Sequence, residues 1–414
     1  TRTASDTTKY FDTILYEGNG AGQRVGQFQP FGNAFTVAKS AMFPTSNGNL
    51  SKTFGSAGNQ KKWTFSAWLK KCVNGAYLNV LRTSHGNDTA LQFTDADKLQ
   101  FYLYDGSYLT NLITTAVYKD SSQWMHVVVK WDSTPSTPSA SSVAIYINGS
   151  QVTALDTAVY PSQNVDSGWN GDGAQNIGFE VDTLDWNGYM SEVTFIDGSA
   201  LEPSSFGQTD TSTNRWIPKA VTGLTFGSNG FYLDFADSGN VGDDESGNAN
   251  DWTNNNSVAQ VADSPTTNAN VWNPAESSFS GGTFSNGNRT VVTGSSQISP
   301  VQAGIPISSG KWYCEVVPQS SEASFLIGLT RGLTTATNQY LGQLANDVAY
   351  YGNGNLYMNG AGAASYGASY AQNDVIGMAI DLDNNTLTYY KNGSSQGVIN
   401  LPSPPSANSP YYVA

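Results

Sequence analysis

Apolar and polar residues alternate with a period of two over much of the chain, which is the pattern of half-buried β-strands. Val143-Ala-Ile-Tyr-Ile147 puts Val143, Ile145 and Ile147 on one face and Ala144 and Tyr146 on the other, then runs into Asn148-Gly149. Leu387-Thr-Tyr-Tyr-Lys391, with Leu387 and Tyr389 on a shared face, runs in the same way into Asn392-Gly393. Asn-Gly supplies two residues that tolerate positive φ, which a tight type I′ turn requires, so each stretch predicts a hairpin. Two such hairpins, far apart and each preceded by long apolar strand signals, predict two β-sandwich modules.

Residues 1–40 predict an N-terminal arm or strand pair: Tyr10–Tyr16, a Gly-rich turn at Glu17–Gly22, then Val25–Phe31. The densest alternation lies in 41–201, at Trp63-Thr-Phe-Ser-Ala-Trp-Leu69, Leu99-Gln-Phe-Tyr-Leu-Tyr104 and Trp124-Met-His-Val-Val-Val-Lys-Trp131. The Ser/Thr/Pro run Asp132–Ser142 is a loop that feeds the first hairpin. Residues 202–271 predict an irregular connector holding Trp216-Ile-Pro-Lys219, Gly230–Phe235 and an Asp/Gly/Asn-rich segment, 237–256. Residues 272–414 predict the second sandwich.

Composition supports an all-β class. Gly numbers 42, Tyr 22, Phe 18 and Trp 10, while charged residues make only 13%. Turn formers and aromatics with few Lys, Glu or Arg suit sheets and argue against helical bundles. The net charge of −14, without a basic cluster, excludes nucleic acid as a partner, because phosphate contacts need Lys and Arg. No stretch approaches the ~20 apolar residues that span a bilayer, so no membrane insertion is expected. Two cysteines in different modules, Cys72 and Cys314, predict buried thiols rather than a disulfide framework. The opening Thr1–Asp6 has no apolar signal-peptide core and no initiator Met, implying a processed or trimmed chain.

The 41–201 stretch resembles a laminin-G-like, concanavalin A-like domain. Its carriers are Trp63–Trp68, Trp124–Val129, Tyr146-Ile-Asn-Gly149 and the closing Asn187-Gly-Tyr-Met-Ser-Glu-Val-Thr-Phe-Ile-Asp-Gly-Ser-Ala-Leu201. From Trp272 onward the chain resembles a SPRY domain, through Gly310-Lys-Trp-Tyr-Cys-Glu-Val316, Ile327-Gly-Leu-Thr330, Asp374–Asp381 and Leu387–Gly393. Both families are jelly-roll sandwiches, and the first mostly binds glycans or proteins. The SPRY family has a further strand where this sequence stops, which implies a truncated second sandwich within a longer natural protein. The order of laminin-G-like unit, Trp-x-Pro-Lys connector, acidic loop and SPRY-like unit resembles structural proteins of tailed phages, marine ones especially.

Glycan recognition needs aromatic faces for sugar rings beside short amide and carboxylate groups. Trp169, Asn170 and Asp172 have that character in a turn-like context, as do Tyr350, Tyr351 and Asn353, and then Tyr366 and Tyr370. The same residue types also serve at subunit contacts. Calcium is the one cofactor suggested: Asp234, Asp237, Asp243, Asp244 and Glu245 crowd one Gly-rich segment, and Ca²⁺ takes six to eight oxygens from such loops. An acidic linker without metal reads the same residues equally simply. Retaining glycosidases of this fold carry Glu-x-Asp followed by a further Glu, and Glu180, Asp182 and Asp185 imitate that set with a shorter last member. Only His85 and His126 could serve a Ser-His-Asp triad, and His126 reads as a packed strand residue.

The expectation is therefore an all-β chain of two concanavalin A-like jelly rolls joined by an acidic connector, without catalysis. Its expected role is that of a tail fibre or capsid appendage on a phage virion. The expected partners are host-surface glycans or a receptor, other virion proteins, and further copies of itself in a homo-oligomer such as a trimer. A polysaccharide-degrading enzyme and a bacterial adhesin or filament subunit are the alternatives.

Overall fold

The computed structural model describes residues 15–17 and 25–27 by their backbone, and 35–44, 48–84, 86–178, 185–211, 213–256, 258–274, 283–292, 301–320, 325–332 and 339–414 in full. The chain divides into two units. One is Gln29–Asn268 with Ser285–Gly287, and the other comprises Thr1–Phe28, Ala269–Phe284 and Asn288–Ala414. Among the described residues the only helical turn is the 3-10 segment Pro203–Ser205, and the paired strands are antiparallel. No helix among them is long and apolar enough to cross a membrane.

In the laminin-G-like unit two eight-stranded sheets enclose one core. The first sheet runs Ser150–Gln151, Ala144–Ile147, Met125–Asp132, Lys62–Lys71, Gly188–Asp197, Ser40–Phe43 and Ala259–Val261, with Phe231–Leu233 also pairing with Gly188–Asp197. The second runs Leu155–Val159, Tyr108–Val117, Lys98–Tyr104, Asp88–Phe93, Leu78–Thr83, Ala174–Ile177, Asn49–Thr53 and Thr253–Asn255. Period-two alternation sends Trp63, Phe65, Ala67 and Leu69 from Lys62–Lys71 into the core between the sheets. Trp63 there stacks on Trp131 with centroids 6.0 Å apart and meets Phe195 at 5.9 Å. Burying an aromatic side chain of this kind contributes about 3 kcal/mol.

The other face of Lys62–Lys71 is buried too, at Thr64, Ser66, Trp68 and Lys70. Its cover comes from residues 199–268. The Thr64 hydroxyl donates to the Ser199 carbonyl, Trp216 lies over His126 beside Trp68, and Asp263 meets Lys70. Residues 202–271, expected as a connector, thus supply strands Phe231–Leu233, Thr253–Asn255 and Ala259–Val261 and belong to this unit as far as Asn268. Three-residue strands are too short to display alternation, so only the sheets they join reveal them.

In the other unit a six-stranded sheet runs Val25–Gln27, Leu15–Glu17, Lys311–Val316, Ile376–Asp381, Thr386–Lys391 and Ser394–Asn400. A five-stranded sheet runs Ala364–Ser365, Asn355–Met358, Val348–Tyr351, Leu326–Thr330 and Tyr412–Val413. Ile376, Met378 and Ile380 alternate into a core shared with Leu329, Val348, Leu387, Tyr389 and Tyr411. The backbone strands Leu15–Glu17 and Val25–Gln27 pair with each other and join this unit, with Glu17, expected in the turn, opposite Lys311. The residues after Asn392-Gly393 provide an outermost strand to each sheet, Ser394–Asn400 and Tyr412–Val413. Cys72 and Cys314 form no disulfide, and burial pushes both thiols up to about 12.

Candidate functional site

The second sheet of the laminin-G-like unit carries an aromatic and amide face opposite the core. Leu91, Phe93, Leu99, Phe101, Leu103 and Leu112 point inward. Their alternates therefore point away, and the strand registers assemble them into three rows. Asn79, Gln92 and Gln100 form one row; Arg82, Ala90, Tyr102 and Asn111 the next; Asp88, Tyr104 and Tyr108 the third. Gln92 Nε2 donates to Gln100 Oε1 at 2.8 Å, and Gln100 Nε2 donates to Asn111 Oδ1 at 2.9 Å. Such a ladder fixes amide orientations across three strands.

The aromatic rings stand beside it. Tyr108 meets Tyr104 at 5.2 Å and Tyr102 at 5.8 Å, both edge to face, and Tyr104 and Tyr108 are 40% and 49% exposed. Arg82 clamps Asp88 through Nε at 3.2 Å and Nη2 at 2.9 Å. Burial raises the Asp88 carboxyl above its usual range, while Arg82 and the Tyr102 hydroxyl pull it back. Tyr104 and Tyr108 offer exposed rings and Asp88 a clamped carboxylate, groups that stack on sugar C–H surfaces and bond sugar hydroxyls, while Tyr102, Gln92, Gln100 and Asn111 are buried beside them. Sequence reasoning missed this face although Leu99–Tyr104 was recognised as a strand. Gln100, Tyr102 and Tyr104 are simply its non-core alternates.

The sequence-predicted glycan residues are dispersed. Trp169 is fully buried, stacked on Trp252 at 6.2 Å and edge-on to Phe195, so its ring offers no surface to a ligand. Asn170 is buried as well: its Nδ2 donates to Asp197 Oδ1 at 2.7 Å, and its Oδ1 accepts from Asn229 at 3.0 Å. Asp172 is exposed. In the SPRY-like unit Tyr350 and Tyr370 are core residues, and the Tyr370 hydroxyl donates to the Tyr350 carbonyl at 2.7 Å. Tyr351 and Tyr366 are half-buried, with Tyr366 edge-on to Tyr350, and Asn353 is exposed. Aromatic residues next to turn formers satisfy core and surface alike, which is why composition misassigned the buried ones.

The acidic segment is an ordered loop that uses its carboxylates internally. Asp244 Oδ1 accepts from the Tyr232 and Ser246 amides at 2.8 and 2.9 Å, and its Oδ2 from the Ser246 hydroxyl and the Asn250 amide, both at 2.8 Å. Asp234 and Asp237 each bond the amide two residues on, at 2.8 and 2.7 Å. Asp243 accepts from the Asn240 side chain, and Glu245 is exposed, raised chiefly by the charge of Asp234. Among the described residues no three His, Cys, Asp or Glu side chains converge as a metal-binding group. Of the five acids proposed for calcium, Asp234, Asp237 and Asp244 accept backbone amides within the loop.

Of the catalytic suspects, Glu180, Asp182 and His85 lie outside the described residues. His126 is fully buried between Trp68 and Trp216, at ring distances of 4.9 and 6.0 Å. Its Nδ1 accepts from Trp216 Nε1 at 2.9 Å, and its Nε2 lies 2.8 Å from Ser66 Oγ. An indole N–H only donates, so Nδ1 carries no proton and Nε2–H donates to the serine. That tautomer cannot deprotonate Ser66, and burial pushes His126 down to about 3. Glu192, unmarked by the sequence reading, sits at φ +52° on a bulge of Gly188–Asp197 and accepts from the Tyr232 hydroxyl at 2.6 Å. Burial raises it to about 8 against the pull of that hydrogen bond, with Asp234 adding to the rise.

Residues 45–205 match the Laminin_G_3 model, described as the concanavalin A-like lectin/glucanases superfamily, and residues 311–401 match the SPRY domain model. No curated protein matches the chain. A solved protein of Bacteroides ovatus ATCC 8483 is similar at 16% identity and TM-score 0.38, over 55% of this chain and 60% of that one. The native heptameric SAP-like pentraxin of Limulus polyphemus is similar at 16% identity and TM-score 0.36, over 56% of this chain and 100% of its own. Domains LG4-5 of the mouse laminin alpha1 chain follow at 10% identity and TM-score 0.34, over 94% of this chain and 83% of theirs. Residues 45–205 are thus similar to the concanavalin A-like lectin/glucanases superfamily and residues 311–401 to the SPRY domain, within an all-β chain of antiparallel sheets.

Proposed function

We propose that this chain is a non-enzymatic adhesion protein whose laminin G-like unit binds glycans through the face built on Tyr102, Tyr104 and Tyr108. The observation that carries this reading is the pair of exposed, edge-on tyrosines beside the Gln92–Gln100–Asn111 amide ladder and the Arg82–Asp88 clamp. Single sugar contacts of this kind are weak, and many copies on one particle convert them into firm attachment. The setting we infer is the surface of a tailed-phage virion, as a fibre or capsid appendage, on the strength of the module order alone. A glycan array tests the binding: Tyr108→Ala and Tyr104→Ala are expected to lose at least tenfold in apparent affinity with an unchanged unfolding midpoint. Undiminished binding in both variants overturns the assigned face. Release of reducing ends from a bound polysaccharide overturns the non-enzymatic reading, and antibody labelling of purified particles decides the setting.

A further inference from the structure

We propose that Lys70 and Asn268 join through an intramolecular isopeptide bond, with Asp263 moving the protons. The proposal stands independently of the glycan reading. Lys70 lies in the central strand Lys62–Lys71 with its side chain fully buried, and the Asp263 side chain is 2% exposed. Lys70 Nζ is 2.8 Å from Asp263 Oδ2 and 2.9 Å from Asn268 Oδ1. Asp263 Oδ1 accepts from Trp124 Nε1 at 3.0 Å, and the Tyr189 ring lies 5.6 Å from Nζ. An amine, a carboxylate and a primary amide are therefore held together among aromatic rings.

The loop that brings the two acceptors to the lysine is rigidly placed. Ser264 Oγ donates to the Val37 carbonyl at 2.6 Å, the Val37 amide donates to Thr266 Oγ1 at 2.9 Å, and the Thr267 amide closes a turn on the Ser264 carbonyl at 3.0 Å. Asn268 Nδ2 donates to the Ser122 carbonyl at 2.8 Å, which turns the amide carbonyl toward Lys70. Holding the amine against the amide replaces a bimolecular encounter, and effective molarities for oriented groups reach ~10⁵ M or more. Lys70 and Asp263 are buried and Asn268 is half-buried, so little water surrounds the amine and its proton acceptor.

The chemistry balances without a further reagent. The Lys70 ammonium gives a proton to Asp263, leaving a neutral amine and a carboxylic acid. The acid hydrogen-bonds to the Asn268 carbonyl, Nζ attacks Cγ, and the Nζ–Cγ bond forms. Asp263 passes its proton and then a second Nζ proton to Nδ2, the Cγ–Nδ2 bond breaks, and nitrogen leaves as ammonium. Asp263 ends as the carboxylate it was at the start, and nothing is oxidised or reduced. Asn268 is the last residue of the stretch Gln29–Asn268, so the bond fastens the exit of the unit to its central strand. It closes a loop across 198 positions, and tension entering at Ala269 passes directly into Lys62–Lys71.

Intact-mass measurement of the full chain tests the bond, followed by peptide mapping of the denatured protein. The expected result is a chain lighter than its encoded mass by one ammonia, with a branched peptide joining Lys70 to Asn268. The encoded mass, with the Lys70 and Asn268 peptides recovered separately, overturns the proposal. Loss of water with a Lys70–Asp263 branch overturns the choice of Asn268. Asp263→Asn, near in shape, is expected to keep the encoded mass while folded by circular dichroism; a branch persisting in it overturns the role of Asp263.

Discussion

The two Asn-Gly hairpins share their local chemistry and differ in what surrounds them. Asn148 and Asn392 have φ +47° and +49°, and Gly149 and Gly393 both have φ +79°. Each asparagine side chain accepts a backbone amide from the facing strand end, His126 at 2.9 Å and Val375 at 2.8 Å, and each asparagine amide returns a bond to the same residue. Yet a Cβ on Gly149 would lie 2.4 Å from the Trp216 ring, whereas one on Gly393 would meet nothing within 4 Å. One hairpin is a floor for Trp216, the ring that caps His126. The other is an exposed turn. Identical turn chemistry therefore says nothing about whether a turn is covered.

If Trp216 is what separates the two, its removal is the largest test. Trp216→Ala is expected to destabilise the laminin G-like unit by about 4 kcal/mol, because a packed ring is lost and His126 Nδ1 loses its donor. A urea midpoint for that unit's transition reads it, and a loss under about 1 kcal/mol breaks the comparison. Acid gives the next effect. His126 is held near 3 in the fold against 6.5 in the unfolded chain, so the unfolded state binds the proton first. Stability from this group is whole above about pH 6.5 and falls as pH drops toward 3, by about 1.4 kcal/mol per unit within the window. Calorimetry should show about 2 kcal/mol lost by pH 5, and His126→Gln should flatten that slope.

Smaller substitutions refine the contrast. Gly149→Ala and Gly393→Ala both incur about 1 kcal/mol of left-handed backbone strain. The former adds overpacking against Trp216, so its cost is expected to exceed the latter's by about 2 kcal/mol in chemical denaturation. Asn148→Ala should cost about 1 kcal/mol through its one acceptor, and Asn392→Ala more, because Asn392 Nδ2 also donates to Asp374 Oδ1 at 2.7 Å. Hydrogen exchange at the His126 and Val375 amides would report these two losses locally.

The candidate glycan face was half legible. Leu99–Tyr104 announces a strand, and once one face holds Leu99, Phe101 and Leu103, Gln100, Tyr102 and Tyr104 must lie on the other. Their neighbours Gln92, Asn111 and Tyr108 come from other strands through registers that no local pattern encodes. Trp169 and Tyr350 show the opposite failure. Turn-rich surroundings suggested exposure, and packing by Trp252 and Tyr389 decided otherwise.

Sequence alone determined the all-β class, the two sandwiches and both Asn-Gly turns, because alternation and positive-φ preference act between residues close in the chain. Tertiary structure alone decided that residues 202–268 clothe the outer face of Lys62–Lys71. It also decided that His126 is locked in a non-basic tautomer by Trp216, and that Lys70 meets Asp263 and Asn268. Those contacts join residues 90 to 198 positions apart, and their energies depend on burial that no local window of sequence contains.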